Sequence, residues 1–553
     1  MKKFNKIYTA LALSATFSLT GCIEETFPQD SIATAEQVQG SASALEGAVN
    51  GISSQMAQGY LVYGEQVTEI DMGLPAMMII QTEMLGDMMP GTADNEGYDW
   101  YRRYNVMMGL GSDDNYSFIP WFTLYKFIKS ANDVIANVDI EDENVSDLIK
   151  SYAGAAYACR AYEYYLLTCF FEPFENIYTD VSAVKGLTVP FVLETTTGDD
   201  AKNNPRVPHN EMIEFILSDL DKAEKCLVDY EPTAVNRLAP TLPVVYGLKA
   251  KVYLLDGQYE NAAKYARLAI DEATNNELYK AKPMTLTELE DPESAFSKAT
   301  AGWLWYLHYD AENMGNLCNY TGWVSAEADW GYNSLVQFVI DRSLYDHIND
   351  TDYRKRWFLN PKKYDYYNYK TSRDKEWVNS AADYTSIKFR CLGGDYETYT
   401  IGGISDVPVM RIEELYLIEA EAVGASEGVA AGTALLNSFM KNYRDPGYNC
   451  TASDLRSFQL EVLDQMRIES WGEGWAFPSA KRLLPDVIRN YEGTNAPSNY
   501  YKINCKGGKP SWTMMIPDEE VQSNVALIGK NNPNPSNVLD KVPTPIGEFA
   551  AKK

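Results

Sequence analysis

The sequence predicts a mostly α-helical protein built from paired helices, with one loop-rich insertion that contains short strands. Two observations predict this fold class. Apolar residues recur at the i, i+3, i+4 spacing of amphipathic helices over residues 121–138 and 147–171. Residues 276–405 are instead rich in Tyr, Trp, Asp, Asn and Gly, and they show little helical period outside residues 335–348.

The first predicted helix pair consists of residues 121–138 and residues 147–171. In the first helix the apolar stripe includes Trp121, Leu124 and Ile128, and a short acidic loop connects it to the second helix. A helical hairpin of this kind cannot bury its apolar face alone, so it must stack on neighbouring hairpins. The pair therefore predicts a layered array of helices.

A second helix pair, residues 246–269, matches the tetratricopeptide pattern at five positions. These positions are Tyr246, Ala250, Tyr253, Ala262 and Ala269. Small alanines let the facing helix approach closely, while a tyrosine fills the remaining gap. The match departs from the pattern because Ala266 stands where an aromatic residue is usual, with Tyr265 one position earlier, and a single imperfect copy is also compatible with an ordinary hairpin. A further amphipathic helix at residues 409–424 favours the array.

The N-terminus predicts a lipoprotein. Three lysines within the first six residues precede an apolar run, residues 7–19, which is too short for a membrane-spanning helix and suits a signal peptide. The run ends in Leu19-Thr20-Gly21-Cys22, which resembles a bacterial lipobox, so we expect cleavage after residue 21 and a lipid on Cys22. An ordinary secretory signal with an incidental cysteine is the alternative.

Charge and composition exclude several classes of function. The net charge of −29 repels nucleic acid, and the chain offers no basic stripe for phosphate contacts, so we expect no nucleic-acid binding. Only three histidines occur, His209, His308 and His347, and their spacing suits neither a histidine-rich zinc site nor a catalytic triad. No EF-hand-like loop is present. We expect no cofactor and no catalysis, although a glycosidase with two carboxylates would leave no sequence signature.

Seven cysteines follow Cys22 at wide spacings: Cys159, Cys169, Cys226, Cys318, Cys391, Cys450 and Cys505. An odd number cannot all pair, and no CxxC motif occurs. A chain of this length can bury a large core without covalent cross-links. Buried free thiols are therefore the expectation, with one disulfide left open.

Several stretches in chain order resemble the SusD/RagB family, the surface nutrient-binding lipoproteins of Bacteroidetes. The resemblance is carried by Ala131-Asn132, by Arg160-Ala161, by the helix from Arg411 to Ala422 with Glu414, Tyr416, Leu417, Ala420 and Glu421, and by Pro517, Glu520, Asn524 and Asn532-Pro533. Glu469, Glu473, Gly474 and Lys481-Arg482 match a further family pattern, but Met440, Ala476 and Ser479 depart from it. The acidic pair Glu24-Glu25 is similar to the surface-export signal of such lipoproteins.

The resemblance implies a platform of about four tetratricopeptide-like units, an outer-leaflet lipid anchor and a role as a lid on a SusC-like TonB-dependent outer-membrane barrel. The corresponding division is residues 1–21 as signal peptide, 22–60 as lipid anchor and tether leading into the first helix, 61–275 as N-terminal helical region, 276–405 as insertion and 406–553 as C-terminal helical region. We expect these regions to form one globular unit.

The resemblance also implies a ligand surface formed by an early loop and the insertion. Aromatic faces stack on sugar rings, and polar neighbours bind the hydroxyl groups. The candidate ligand-binding residues are Asn95, Tyr98, Trp100 and Tyr101 in the early loop and Tyr320, Trp323, Asp329, Trp330 and Tyr332 in the insertion. The predicted function is capture of a glycan for the barrel, and capture of a peptide, as by a RagB-like lid, is the alternative.

The aromatic stretch at residues 301–332 divides into two expectations. Trp303 and Trp305 alternate within "WLWYLHY", which predicts a buried strand. Trp323, Trp330 and Tyr332 lie among Gly, Ser, Ala and Asp, which favours an exposed loop, so we expect them to form an exposed aromatic surface together with Tyr98 and Trp100.

Replacing Cys22 by alanine should abolish acyl labelling and release the protein from the outer membrane, because the thiol that accepts the lipid is gone. Metabolic labelling with a fatty acid, followed by membrane fractionation beside the unchanged chain, measures both effects. Equal labelling and equal membrane retention of Cys22→Ala would show that the anchor is wrongly assigned.

Overall fold

The computed structural model describes residues 42–57, 61–62, 65–66, 72–92, 102–232, 234–311, 319–363 and 366–541. Cys22 and the early-loop candidates Asn95, Tyr98, Trp100 and Tyr101 lie outside the described residues. The α-helices are α1 Ala42–Met56, α2 Leu74–Leu85, α3 Arg102–Val106, α4 Asn115–Ile135, α5 Asp147–Phe171, α6 Gly198–Ala201, α7 His209–Leu227, α8 Leu242–Leu255, α9 Tyr259–Asn275, α10 Leu286–Leu289, α11 Tyr320–Val324, α12 Arg342–His347, α13 Lys375–Ser380, α14 Tyr399–Gly402, α15 Ile412–Ser426, α16 Val429–Tyr443, α17 Leu455–Glu469, α18 Phe477–Leu483 and α19 Asp518–Ser523.

The strands are β1 Leu61–Val62, β2 Glu65–Gln66, β3 Met88–Pro90, β4 Trp303–His308, β5 Phe338–Ile340, β6 Asp406–Arg411, β7 Val487–Ile488 and β8 Asn504–Cys505. They form four antiparallel two-stranded sheets, β1 with β2, β3 with β5, β4 with β6 and β7 with β8. The predicted fold class, mostly helical with a loop-rich insertion that contains short strands, is confirmed.

The long helices pack in chain order as a layered array. Helix α4 packs on α5, α5 on α7, α8 on α9, α9 on α15, and α15 on α16. The small residues predicted to permit close approach, Ala250, Ala262 and Ala269, are fully buried. Tyr265 stacks on Tyr253 with ring centroids 5.5 Å apart, so it supplies the aromatic packing that Ala266 does not.

The insertion returns to the helical array through a pair of strands. Strand β4 pairs antiparallel with β6, which leads directly into α15, and Trp303 lies opposite Arg411. Trp303 and Trp305 are fully buried, as predicted for a core strand. Strand β3 pairs with β5 and joins the N-terminal region to the insertion. One continuous hydrophobic core includes residues from the N-terminal helices, the insertion and the C-terminal helices.

Eight buried charged side chains meet where the insertion contacts the C-terminal helices: Asp352, Arg354, Lys388, Arg411, Glu413, Arg444, Glu469 and Glu473. We call this set the ionic cluster. Glu469 is its centre, because its carboxylate accepts from Arg411 at 3.0 Å, from Arg444 at 2.8 Å and from Arg354 at 3.3 Å. Those three cations hold the pKa of Glu469 well below its usual range against the effect of burial.

Lys388 and Glu473 extend the ionic cluster into the insertion. Lys388 Nζ donates to Glu473 at 2.5 Å and to the backbone carbonyls of Glu469 and Trp471 at 2.8 Å each. Burial lowers the pKa of Lys388 to about 8. The neighbouring Gly474 has φ +80°, and a Cβ there would lie 2.4 Å from the Met78 carbonyl oxygen, so this position requires glycine.

The six cysteines that the structure describes are free and buried, as expected: Cys159, Cys169, Cys226, Cys391, Cys450 and Cys505. Cys318 lies outside the described residues. Burial raises the pKa of Cys169, Cys391 and Cys505 to about 12, so these thiols stay protonated at neutral pH. None of the helices that the structure describes has the length and apolar character of a membrane span.

Glu163 on α5 is fully buried, and neither carboxyl oxygen has a hydrogen-bond partner. Burial raises the pKa of Glu163 well above its usual value. The folded state therefore keeps a proton that the unfolded chain releases at about pH 4.3. Stability is lost as pH rises from that value towards the folded pKa, by about 1.4 kcal/mol per pH unit from this group.

Glu163→Gln should raise the melting temperature, and the gain should grow from pH 5 to pH 8, because glutamine keeps the side-chain shape without a titrating proton. Thermal unfolding of both chains over this pH range measures the effect. The control is Glu143→Gln, since Glu143 is exposed in the loop between α4 and α5. A gain that does not change with pH would contradict the protonated buried carboxyl.

Candidate functional site

The second half of the aromatic stretch is buried, so the predicted exposed aromatic surface is wrong for its insertion residues. Tyr320 is 1 % exposed, Trp323 3 %, Trp330 7 % and Tyr332 6 %. Trp323 stacks on Tyr332 with ring centroids 4.5 Å apart, and the Tyr320 hydroxyl donates to the Gly472 carbonyl at 2.9 Å. These rings pack into the protein and present no free face for a sugar.

Two glycines explain this burial. Gly331 has φ +74°, and a Cβ at this position would lie 2.7 Å from both the Cα and the carbonyl oxygen of Gly322. The two backbones therefore touch and fold the segment back on itself. Asn319 accepts from the Gly322 amide at 2.7 Å, and Asn333 donates to the Trp323 carbonyl at 2.7 Å. The small and polar residues that suggested a loop instead permit this close packing.

Asp329 is the insertion candidate whose side chain reaches solvent. It is 51 % exposed and pairs with Arg373 at 2.7 Å. The Arg373 guanidinium carbon lies 4.1 Å from the ring centre of Tyr396 and 5.3 Å from that of Trp377. Both rings are half-buried. We call Asp329, Arg373, Trp377 and Tyr396 the Arg373 platform.

Buried groups hold the Arg373 platform in place. Arg373 also donates to the Glu327 carbonyl at 2.9 Å, and the Asp329 amide donates to the Tyr396 carbonyl at 2.9 Å. The Glu327 side chain is buried and accepts from Arg390 at 2.6 Å. Trp330 forms a small core with Ala328 and Cys391, against which Tyr396 packs. The site is therefore organised before a ligand arrives.

The Arg373 platform combines groups that suit a polyhydroxylated ligand. Tyr396 and Trp377 provide aromatic surface, Arg373 provides planar donors, and Asp329 provides an exposed acceptor. Sequence reasoning found Asp329 but missed the other three, because they lie more than forty residues further along the chain.

The early loop begins next to the insertion. The Gly91 amide donates to the Gln337 carbonyl at 2.8 Å, directly after the paired strands β3 and β5. Residues 93–101 follow outside the described residues. Within the part of the chain that the structure describes, no group of three or more His, Cys, Asp or Glu residues is arranged to hold a metal ion.

Comparisons with known proteins show a similarity to SusD-like proteins. Residues 63–254 match a SusD-like family model whose description is "starch-binding associating with outer membrane". A SusD-like carbohydrate-binding protein from Bacteroides vulgatus ATCC 8482 has the same fold at 20 % identity, with a TM-score of 0.69 over 89 % of this chain and 98 % of that chain. Residues 63–254 therefore resemble the SusD-like family, and 89 % of this chain has the fold of a SusD-like protein.

Two further SusD-like structures have this fold. A SusD superfamily protein from Bacteroides thetaiotaomicron VPI-5482 is 17 % identical, with a TM-score of 0.66 over 89 % of this chain and 100 % of that chain. A structure named as a laminarin-binding SusD-like protein is also 17 % identical, with a TM-score of 0.62 over 89 % of this chain and 98 % of that chain. No curated protein matches this sequence.

The residues that carry the resemblance to the SusD/RagB family stabilise the fold. Asn132 accepts from Arg160 at 2.8 Å, and Arg160 pairs with Asp219 at 2.7 Å, which joins α4, α5 and α7. Lys481 donates to the carbonyls of Cys169 and Glu172 at 2.7 and 2.6 Å at the C-terminal end of α5.

The C-terminal motif residues act in the same way. Asn524 and Asn204 exchange two hydrogen bonds, at 2.9 and 2.7 Å, and Asn532 accepts from Arg206 at 2.9 Å. Where the family pattern has Arg, Met440 is buried, and Arg444 one helical turn later supplies a guanidinium to the ionic cluster. The motif residues therefore indicate the fold of the protein, but they do not indicate which ligand it binds.

Trp323→Ala should lower the free energy of unfolding by about 3–5 kcal/mol, as loss of a core aromatic side chain does, and Trp303→Ala should behave alike. Denaturant unfolding followed by circular dichroism measures both values. The control is Tyr367→Ala, because Tyr367 is 77 % exposed and should change stability by less than about 0.5 kcal/mol. A Trp323→Ala chain as stable as this control would contradict the burial of Trp323.

Proposed function

We propose that this protein captures a neutral glycan at the cell surface on the Arg373 platform. The observation that carries the proposal is the ion pair between the exposed Asp329 and the mostly buried Arg373, whose guanidinium lies against Tyr396 and Trp377. The description of the matched family model as starch-binding and the laminarin-binding relative support a glycan as the ligand. Early-loop residues Asn95, Tyr98, Trp100 and Tyr101 remain candidates for the same surface.

The chemistry of the Arg373 platform favours a neutral ligand. The CH-rich face of a sugar ring packs on an aromatic ring, and such a contact contributes about 1–2 kcal/mol by analogy with other aromatic contacts. Hydroxyl groups of the sugar accept from the Arg373 guanidinium and donate to the Asp329 carboxylate. A net charge of −29 opposes the approach of an anionic polymer.

We further propose that the captured glycan passes to a SusC-like TonB-dependent barrel in the same membrane. The lipobox at Cys22 would hold the protein on the outer leaflet, and the family description as associating with outer membrane supports this location. In this proposal the protein binds the glycan without catalysis.

Glycan-array binding of the purified full chain, followed by calorimetric titration with the best ligand, tests the proposal. Asp329→Asn and Tyr396→Leu should each weaken binding about 5- to 30-fold, because one removes a charged acceptor and the other a stacking face. Tyr367→Ala is the matched control, since its ring is exposed on the same insertion but outside the Arg373 platform.

Each result separates the hypotheses. Glycan binding that neither Asp329→Asn nor Tyr396→Leu weakens, with stability unchanged, would move the site away from the Arg373 platform. Binding to a peptide library with no glycan binding would favour the RagB-like alternative. Release of reducing sugar from the bound glycan, abolished by a single Asp or Glu substitution, would overturn the non-catalytic role.

A further inference from the structure

A cavity lies in the helical half of the protein, and it shares no residue with the Arg373 platform. Its volume is about 390 Å³, and its walls come from α1, α5, α8, α9 and the connection that follows α7. Ligand sites for small organic molecules occupy about 300–1,000 Å³. The cavity is therefore large enough to enclose a small ligand.

The polar lining of this cavity consists of tyrosine rings, amides, hydroxyls and carboxylates. Tyr152, Tyr230, Tyr246 and Tyr279 contribute rings, and Glu231 and Glu272 contribute carboxylates. Burial raises the pKa of Tyr246 and of Tyr279, so their hydroxyls are neutral. Neutral tyrosine rings carry a negative potential on their faces, which attracts cations.

No Lys, Arg or His side chain lines the cavity within the described chain. Glu272 accepts from the Asn276 amide at 2.8 Å, but neither Glu272 nor Glu231 forms an ion pair with a described residue. The nearby Arg237 is not among the lining residues and donates to backbone carbonyls, including that of Tyr279 at 2.8 Å. Neither carboxylate is therefore paired with a cationic side chain of the described residues.

We propose that this cavity binds a small organic ammonium ion. The cation would lie against the tyrosine faces, and Glu272 and Glu231 would balance its charge. A neutral molecule of equal shape would gain the apolar contacts but neither the cation–π attraction nor the ion pairing. An anion would be rejected, because the lining offers no positive side chain.

Choline and its uncharged isostere 3,3-dimethylbutan-1-ol form a matched probe pair for this site. Titration of the purified full chain, followed by calorimetry, should show saturable choline binding at least about 10-fold tighter than binding of the isostere. Raising the salt concentration should weaken choline binding alone, because screening acts on the charge.

Glu272→Gln should weaken choline binding about 10-fold and bring it close to that of the isostere. The control is Glu260→Gln, an exposed residue near the other end of the same helix, which should bind choline like the unchanged chain. Tyr152→Leu, at a half-buried ring, should weaken choline binding as well. Asp329→Asn should leave it unchanged, which separates this cavity from the Arg373 platform.

The proposal is overturned if choline does not bind, if the isostere binds equally well, or if Glu272→Gln retains full affinity while folding normally by circular dichroism. Weakening by Glu260→Gln as strong as that by Glu272→Gln would also overturn it, because the effect would then reflect overall charge and not this cavity.

Discussion

The ionic cluster around Glu469 is the constraint on which the rest of the structure depends. A buried charge is expensive unless it is paired and hydrogen-bonded, and removal of one partner from such a pair typically costs 3–5 kcal/mol. Here four cationic and four anionic side chains come from the insertion, from β6, and from the C-terminal helices α15 to α17 and the turn that follows. The insertion cannot bury its charged side chains without those of β6 and the C-terminal helices, and the reverse also holds. These ion pairs therefore fix the position of the insertion on the helical array.

The same constraint reaches the Arg373 platform through a short run of the insertion. Lys388 belongs to the ionic cluster, and two residues later Arg390 holds the buried Glu327 carboxylate at 2.6 Å. The Glu327 carbonyl in turn accepts from Arg373 at 2.9 Å. The groups of the Arg373 platform therefore rest on buried ionic contacts, which hold the Arg373 guanidinium against two aromatic rings in a segment without long helices or long strands.

Sequence reasoning succeeded where the signal was local and failed where it depended on contacts between distant residues. Helix α5 has the predicted bounds 147–171. Helix α4 begins at Asn115, six residues before the predicted start at residue 121. Pro120 lies inside this helix, although a proline in a sequence usually indicates a helix boundary. The strand with Trp303 and Trp305 was predicted from the alternation of its residues.

Burial of Trp323 and Trp330 could not be predicted, since the contact between Gly322 and Gly331 depends on a backbone fold that no periodicity encodes. Trp377 and Tyr396 were missed because only the folded insertion brings them to Asp329.

The two proposed sites respond differently to the strong negative charge of the protein. The electric field of this negative charge acts only weakly on a neutral glycan. The Arg373 platform must therefore bind the glycan through short-range stacking and hydrogen bonds, whose strength changes little with salt concentration. An organic cation is attracted over a longer range, and the unpaired carboxylates of the helical cavity add to that attraction. Salt dependence therefore distinguishes the two kinds of binding within one molecule.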